Sequence, residues 1–219
     1  LQSQVFKHIL KVGFPVAIQD GCVQIAFMII TIIANSRGLN DAAAVGIVEK
    51  MVTAIFIIPS TMLATVSALS AQNIGAKNYG RARTVLKYAV MITTLYGIIV
   101  TLIVECAAPT LLGLFTKDTT VILLGVQYIS SYIIDTIFAG IHFGFSGYFA
   151  ADGKSYIGFI HNIISISLVR VPGSYIASIM YPHNLFPMGL AAPLGSLLSV
   201  IICLIAYCIL KKKDELSVL

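Results

Sequence analysis

Residues 25–34 read IAFMIITIIA, and residues 96–104 read YGIIVTLIV. Neither run contains a charged side chain, and neither alternates between apolar and polar positions. A strand of a membrane barrel would alternate over about ten residues, with apolar side chains toward lipid and polar ones toward the lumen. Because the bilayer interior holds no water to bond the backbone, only helices and closed barrels cross it, and these runs predict helices.

Six apolar stretches of this kind fill the chain. A helix needs about 20 mostly apolar residues to cross a hydrocarbon core of about 30 Å, and each stretch reaches that length. The sequence therefore predicts an all-α integral membrane fold with six transmembrane helices, at residues 11–36, 45–71, 83–104, 121–151, 155–180 and 188–210.

The composition excludes a water-soluble domain. The chain is 58% hydrophobic and 11% charged, whereas soluble domains have about 25% charged residues. No nucleophile with a neighbouring base, phosphate-binding glycine loop or zinc-type spacing is present, so we expect no enzyme, no metal site and no cofactor. The four cysteines are interpreted as packing residues in or beside the apolar stretches: Cys22, Cys106, Cys203 and Cys208.

Lysine and arginine collect on one side of the predicted helices. The net charge of +5 does not indicate nucleic acid binding, because most basic residues lie in the two tails and in the second and fourth loops. The positive-inside rule makes that side cytoplasmic, so we expect a multi-pass protein of the cell membrane, surrounded by lipid, with both termini cytoplasmic. The residues concerned are Lys7, Lys11, Lys77, Arg81, Arg83, Lys87, Lys154, Lys211, Lys212 and Lys213.

Short motifs between and within the stretches resemble the multidrug and toxic compound extrusion (MATE) family of transporters. The motifs occur in the family's order and cover nearly the whole chain. The most specific is the segment between the second and third helices. In chain order they are GFP (13–15), Gly38 with residues 42–46, AQNIGA (71–76) with RAR (81–83), DGKS (152–155) and VRVP (169–172).

The resemblance implies a larger architecture than this chain contains. MATE transporters have two six-helix lobes, and the lysine-rich end after the sixth stretch favours the C-terminal lobe, with the N-terminal lobe as its missing partner. The implied function is secondary active export of small organic cations in exchange for H⁺ or Na⁺. We therefore expect this chain to be a piece of a longer protein.

Acidic residues within the apolar stretches are the first candidates for the coupling cation, because charge at membrane depth is rare and usually functional. Asp135 falls in the middle of the predicted fourth helix, more than two turns from either end. A carboxyl group in such a low-dielectric site can bind and release a proton near neutral pH, or attract Na⁺. Asp20 is the second candidate, and Gln24, one turn further on, lies on the same helix face.

Further residues are predicted to line a cavity or to bend the helices. Gln24, Glu49, His142 and Tyr132 are the polar candidates for the cavity wall, with His142 on the same helix face as Asp135. Prolines interrupt helix hydrogen bonding, so Pro15 and Pro59 are expected to be hinges, and Arg170 with Pro172 to break the fifth helix.

Two other functions stay open on the sequence. A lipid-linked oligosaccharide flippase of the same superfamily would need a cavity lined with arginine, and this chain offers only Arg170 and Lys50 near such a position. A non-transporting membrane scaffold would not need acids buried within its helices.

Overall fold

A computed structural model describes residues 3–216, with the side chains of residue 10 and residues 13–211. In chain order, ten α-helices and one π turn make up this part: α1 Ser3–Arg37, α2 Leu39–Ile55, α3 Ile57–Gly75, α4 Tyr79–Gly113, α5 Thr119–Tyr132, α6 Asp135–Ala151, α7 Ser155–Ser165, the π turn Ile166–Arg170, α8 Val171–Met180, α9 Phe186–Gly189 and α10 Ala191–Leu216. The side chains of Lys7, Lys11, Lys212 and Lys213, which contribute to the predicted charge asymmetry, lie outside the described ones.

The helices are long and apolar enough to cross a membrane. Five spans meet this requirement alone, and α5 with α6 forms a sixth that is bent by 42°. Their outer surfaces are covered with large apolar side chains such as Met28, Leu102 and Ile205, each more than half exposed. Among the described residues there is no β-strand, so the predicted all-α membrane fold is confirmed.

The second predicted helix is interrupted at Phe56, three residues before the expected hinge at Pro59. Because proline has no N–H, Pro59 leaves the carbonyl of Ile55, four residues earlier, without its helical donor. The hydroxyl of Tyr96 on α4 donates to that carbonyl at 2.9 Å. A side chain from a neighbouring helix thus satisfies the backbone group that the proline frees, as the lipid interior requires.

The other prolines do not end their helices. Pro15 lies inside α1, and Pro109 lies inside α4, which runs on to Gly113. The predicted third helix, 83–104, is therefore shorter than α4 at both ends. The polar segment before residue 83 and Pro109 are sequence signals for helix ends, but α4 includes residues 79–82 and Pro109. A single missing hydrogen bond does not end a helix whose neighbours hold it in place.

At the expected break near Arg170 and Pro172 the α-helix is interrupted by the π turn, but the chain does not leave the helical path. The chain stays helical from Ser155 to Met180 and changes its hydrogen bonding in the π turn, where the N–H of Val171 bonds the carbonyl of Ile166 five residues earlier. Pro172 follows in the first turn of α8, where its missing N–H is tolerated. The fifth span therefore accommodates the proline by an inserted residue instead of a gap, an arrangement frequent at functional sites.

The fourth predicted helix, 121–151, is divided into α5 and α6, and Asp135 is the first residue of α6 instead of a mid-helix residue. At the bend the N–H of Thr136 bonds the carbonyl of Ile133 at 3.0 Å, in the tighter three-residue pattern. The hydroxyl of Thr101 on α4 also donates to this carbonyl, at 3.3 Å. No proline or glycine stands at residues 133 and 134, so the sequence lacked the usual signal for a bend.

Arg37 links the turn between α1 and α2 to the end of α8. Its guanidinium pairs with Asp41 at 2.6 Å and donates to the carbonyls of Ser178, Tyr181 and Pro182 at 3.0–3.1 Å. These carbonyls lie at the end of α8, where a helix leaves its last acceptors unpaired. Arg37 therefore supplies the donors that α8 lacks.

Glycines set how closely α6 approaches its neighbours. α6 packs against α3, α4, α7 and α10. A Cβ atom on Gly147 would lie 2.4 Å from the backbone oxygen of Leu63 on α3. A Cβ on Gly97 of α4 would lie 2.8 Å from Cα of Ile137. Small residues at helix contacts are typical of membrane proteins, where packing drives association.

We predict that Gly147→Ala destabilises the protein by about 1–3 kcal/mol, the usual effect of overpacking, because the new methyl group forces α3 and α6 apart. Gly46→Ala is the matched control: it lies within α2 and a Cβ there has no atom within 4 Å. The apparent melting temperature of the purified protein in detergent should fall for the first variant and stay or rise for the second. Equal melting temperatures would contradict the close contact.

Candidate functional site

Buried polar side chains gather in one place between α6, α7, the π turn and α10. They surround a cavity of about 60 Å³, which is closed on its other side by Val23, Phe27 and Phe56. We call it the inner cavity. Its polar lining residues are Asp135, His142, Asn162, Ser165, Arg170, Ser196 and Ser199.

Asp135 is fully buried, with 0% of its surface exposed. Its position at the bend directs the carboxylate into the inner cavity, beside the hydroxyl of Ser196. The Ser196 hydroxyl is close enough to favour the ionised carboxylate, although neither carboxylate oxygen has a hydrogen bond of good geometry or an ion pair. A charged carboxylate that no counter-ion neutralises in a low-dielectric interior has a cost of several kcal/mol, so this group favours a proton or a positive ion beside it.

Arg170 is held by aromatic rings more than by hydrogen bonds. Its guanidinium carbon lies 5.0 Å from the ring centre of Phe27 and 5.6 Å from that of Tyr132. It donates a hydrogen bond to the hydroxyl of Tyr132, and its Nε has no partner. Cation–π contacts of this kind stabilise a buried guanidinium without neutralising it.

Glu49 reaches the same region from α2. The hydroxyl of Thr31 on α1 donates to its Oε2 at 3.1 Å, and its Oε1 is buried without a partner. Thr31 is one turn beyond Phe27, which contacts Arg170, so α1 connects the two groups. Glu49 is also close enough to Arg170 for electrostatic attraction.

Two imidazoles continue the polar region along α6 and α7. The rings of His142 and His161 meet edge to face with centroids 5.5 Å apart. His161 Nε2 and the hydroxyl of Ser146 share a hydrogen bond of 2.9 Å, whereas Nδ1 of each histidine is buried without a partner. The hydroxyl of Ser199 donates to the backbone carbonyl of His161 at 3.4 Å.

Asp20 lies apart from this cluster. It lines an open groove of about 520 Å³ between α1 and α3, whose other walls are small and apolar residues such as Ala17, Ala64 and Ala68. We call it the outer groove. Asp20 is the one charged residue among the described residues that line it. Gln24, one turn further along α1, is exposed and lines neither space.

The structure thus brings together most, but not all, of the residues chosen from the sequence. Asp135, His142 and Arg170 line the inner cavity, Tyr132 bonds Arg170, and Glu49 joins through Thr31. Asp20 and Gln24 do not join them, and neither Pro15, Pro59 nor Pro172 lines the inner cavity. Sequence reasoning missed the uncharged polar residues Asn162, Ser165, Ser196 and Ser199, although the i, i+3 spacing of the last two within an apolar run was a usable signal. Within the described part of the chain no group of three or more His, Cys, Asp or Glu side chains is arranged to hold a metal ion.

A multi-pass helical domain whose charged side chains converge on a small internal cavity has the design of a membrane transporter lobe. Residues 15–176 match the family model MatE. The chain therefore belongs to the MatE family of membrane transporters, as the sequence motifs suggested.

Individual relatives agree with this assignment. The chain is 19% identical, over 221 residues, to the probable multidrug resistance protein YoeA of Bacillus subtilis (strain 168), covering 99% of this chain and 47% of that protein. Its fold matches the MATE transporter VcmN of Vibrio cholerae, in a mutant form, with a TM-score of 0.89 at 17% identity, covering 97% and 48%. An outward-facing MATE family transporter of the MOP superfamily matches with a TM-score of 0.88 at 18% identity, covering 96% and 48%. The chain thus spans about half the length of these relatives.

We predict that Tyr132→Phe destabilises the protein by about 1–3 kcal/mol, because it removes the hydroxyl that accepts from the Arg170 guanidinium, and hydrogen bonds to charged groups contribute about this much. Tyr175→Phe is the control, since Tyr175 on α8 is 56% exposed. Thermal unfolding in detergent measures both. If the two variants melt at the same temperature, the hydroxyl of Tyr132 does not anchor Arg170.

Proposed function

We propose that this chain is the C-terminal lobe of a secondary active multidrug exporter, which exchanges small organic cations for H⁺ or Na⁺ across the cell membrane. Asp135 binds the coupling cation, and a second lobe of the same protein completes the transport path. The observation that supports this most directly is the Asp135 carboxylate, which is fully buried, faces the inner cavity beside Ser196 and is neutralised by no ion pair. Both termini of the lobe are on the cytoplasmic side.

The size of the inner cavity favours a small cation over a drug. A water molecule takes up about 30 Å³ of liquid, and drug-binding pockets measure about 300–1,000 Å³. At about 60 Å³ the inner cavity has room for a proton carried by water or for a monovalent metal ion. The coupling cation that drives export would then bind at Asp135, and the organic substrate would bind elsewhere.

The outer groove has the properties of a site for the organic substrate. Its volume of about 520 Å³ is within the range for drug-sized ligands, and its apolar walls suit aromatic or aliphatic surfaces. Asp20 supplies a negative charge that attracts a cation. The multidrug description of the B. subtilis relative supports a substrate of this class.

The flippase alternative is less well supported. Pyrophosphate-linked sugars need several basic side chains at their site, whereas Arg170 is the one basic residue among the described residues that line the inner cavity, and none lines the outer groove. Transport assays with cationic dyes and with lipid-linked sugars separate the two functions.

We predict that Asp135→Asn in the full-length transporter lowers export of an ethidium-like dye at least about tenfold at equal expression, the loss expected when a charge that drives coupling is removed. The apparent melting temperature should be unchanged or higher, because the substitution removes a buried charge that no ion pair neutralises. Asp118→Asn is the matched control: Asp118 caps α5 through the N–H groups of Thr120 and Val121, and asparagine caps equally well. Normal export by the Asp135 variant would remove Asp135 from the mechanism.

A second prediction concerns Asp20. Asp20→Asn should raise the KM for a cationic dye about three- to tenfold, as loss of a partly screened charge contact predicts, and leave an uncharged dye of similar shape unaffected. The dependence of export on the H⁺ or Na⁺ gradient should stay as in the unmodified protein. A changed cation dependence with an unchanged dye KM would instead assign Asp20 to coupling.

A further inference from the structure

Two charged side chains, Asp135 and Arg170, line the inner cavity, and a third, Glu49, lies nearby, bonded to Thr31 one turn from the lining residue Phe27. Each of the three comes from a different element. Glu49 comes from α2, Asp135 from α6 and Arg170 from the π turn. Arg170 attracts both carboxylates electrostatically. It nevertheless forms no ion pair with either of them in the described structure: the hydroxyl of Thr31 bonds Glu49, and the hydroxyl of Ser196 is the polar group next to Asp135.

No other negative charge from the described residues joins this cluster. The remaining titratable groups that face it are the imidazoles of His142 and His161 and the phenols of Tyr128 and Tyr132, none of which adds a negative charge. The side chains that α1 and α10 contribute within the described range are uncharged: Val23, Phe27, Thr31, Ser196 and Ser199. Asp20 faces the outer groove instead.

When both carboxylates are ionised, they and the one guanidinium give the cluster a net charge of −1. A buried net charge is costly, and the cost disappears when one opposite charge is bound. One monovalent cation makes the cluster neutral, whereas a second would leave it at +1. The charge count thus limits the lobe to one cation at a time.

Arg170 has enough N–H donors left to pair with either carboxylate. A guanidinium has five N–H donors, and the one side-chain oxygen that accepts from it among the described residues is the Tyr132 hydroxyl. The rings of Phe27 and Tyr132 contact the guanidinium without directing its N–H groups to either acid.

We propose that Glu49, Arg170 and Asp135 form one electrostatic unit that binds a single monovalent cation per transport cycle, with Arg170 as the internal counter-charge of whichever carboxylate the cation does not occupy. Glu49 sets the cation affinity of Asp135 from a distance by competing for Arg170. Without Glu49, Arg170 pairs with Asp135 and takes the place of the coupling cation. This inference rests on the proposed function and adds a stoichiometry and two positioning residues to it.

The test uses Glu49→Gln in the full-length transporter in liposomes, with Glu49→Gln/Arg170→Gln as the rescue variant. Glutamine still accepts the Thr31 hydrogen bond, so the α1–α2 contact is kept. Dye export is measured against pH at fixed Na⁺ and against Na⁺ at fixed pH, which gives a half-maximal cation concentration and a maximal rate. Glu105→Gln is the matched control, because Glu105 is exposed on α4.

Glu49→Gln should raise the half-maximal cation concentration about tenfold or more, since the cluster becomes neutral before any cation binds. If the coupling ion is H⁺, the pH profile moves to lower pH by about one unit. The double variant again has a net charge of −1, and its half-maximal concentration should return to within about threefold of the unmodified value, the scatter usual for non-additive pairs. Glu105→Gln should leave it unchanged.

An unchanged half-maximal concentration in Glu49→Gln would overturn the proposal, as would a double variant with no better cation affinity than the single one. If the double variant does not elute as a folded protein on gel filtration, the single variant decides alone. If the unmodified protein exports dye without any cation gradient, that result overturns the proposed function itself and not only this inference.

Discussion

The lipid interior offers no hydrogen-bond partners, and every irregular feature of this lobe follows from that constraint. Pro59 frees the carbonyl of Ile55, and Tyr96 donates to it. The bend before α6 turns the carbonyl of Ile133 toward Thr101, which donates to it as well. At both of these interruptions a neighbouring helix offers a hydroxyl. The polar contacts therefore fix where the spans bend, and the bends fix which residues face the inner cavity.

Asp135 departs from this pattern of satisfied groups. It is completely buried and no ion pair neutralises it, although Ser196 and the Arg170 guanidinium lie close by. A fold optimised for stability alone would pair or replace such a carboxylate. Buried polar atoms of Glu49, His142 and Arg170 also lack hydrogen bonds, so several unsatisfied groups gather around one cavity, as the proposed cation site requires.

Much of the fold could be predicted from the sequence, because hydropathy is a local property and the lipid acts on each span separately. The fifth span was expected at 155–180 and runs from Ser155 to Met180.

The bend before Asp135 could not be predicted, since it depends on Thr101 of α4 and on the close approach that Gly97 permits. Likewise, the contact of Glu49 with Thr31 and of Arg170 with Tyr132 joins residues 18 and 38 positions apart. Such pairings follow from tertiary packing, and hydrophobic periodicity contains no information about them. Asp20 and Asp135 are both acids within apolar runs, and only the three-dimensional fold separates them, because it places Asp20 in the outer groove and Asp135 in the inner cavity.

The separation of Asp20 from Asp135 has a mechanical consequence, because one helix borders both spaces. α1 lines the outer groove with Ala17 and Asp20 and the inner cavity with Val23 and Phe27. Coupling between two sites requires an element whose position alters both of them, so that each ligand favours one arrangement. A displacement of α1 changes the width of the outer groove and, through Phe27, the ring surface against which Arg170 rests. Pro15 lies inside α1 next to the outer groove and weakens its hydrogen bonding there. A bend in α1 near the outer groove therefore changes the surroundings of Arg170 as well, so under the proposed function α1 is the element that connects cation and substrate, without direct contact between the two acids.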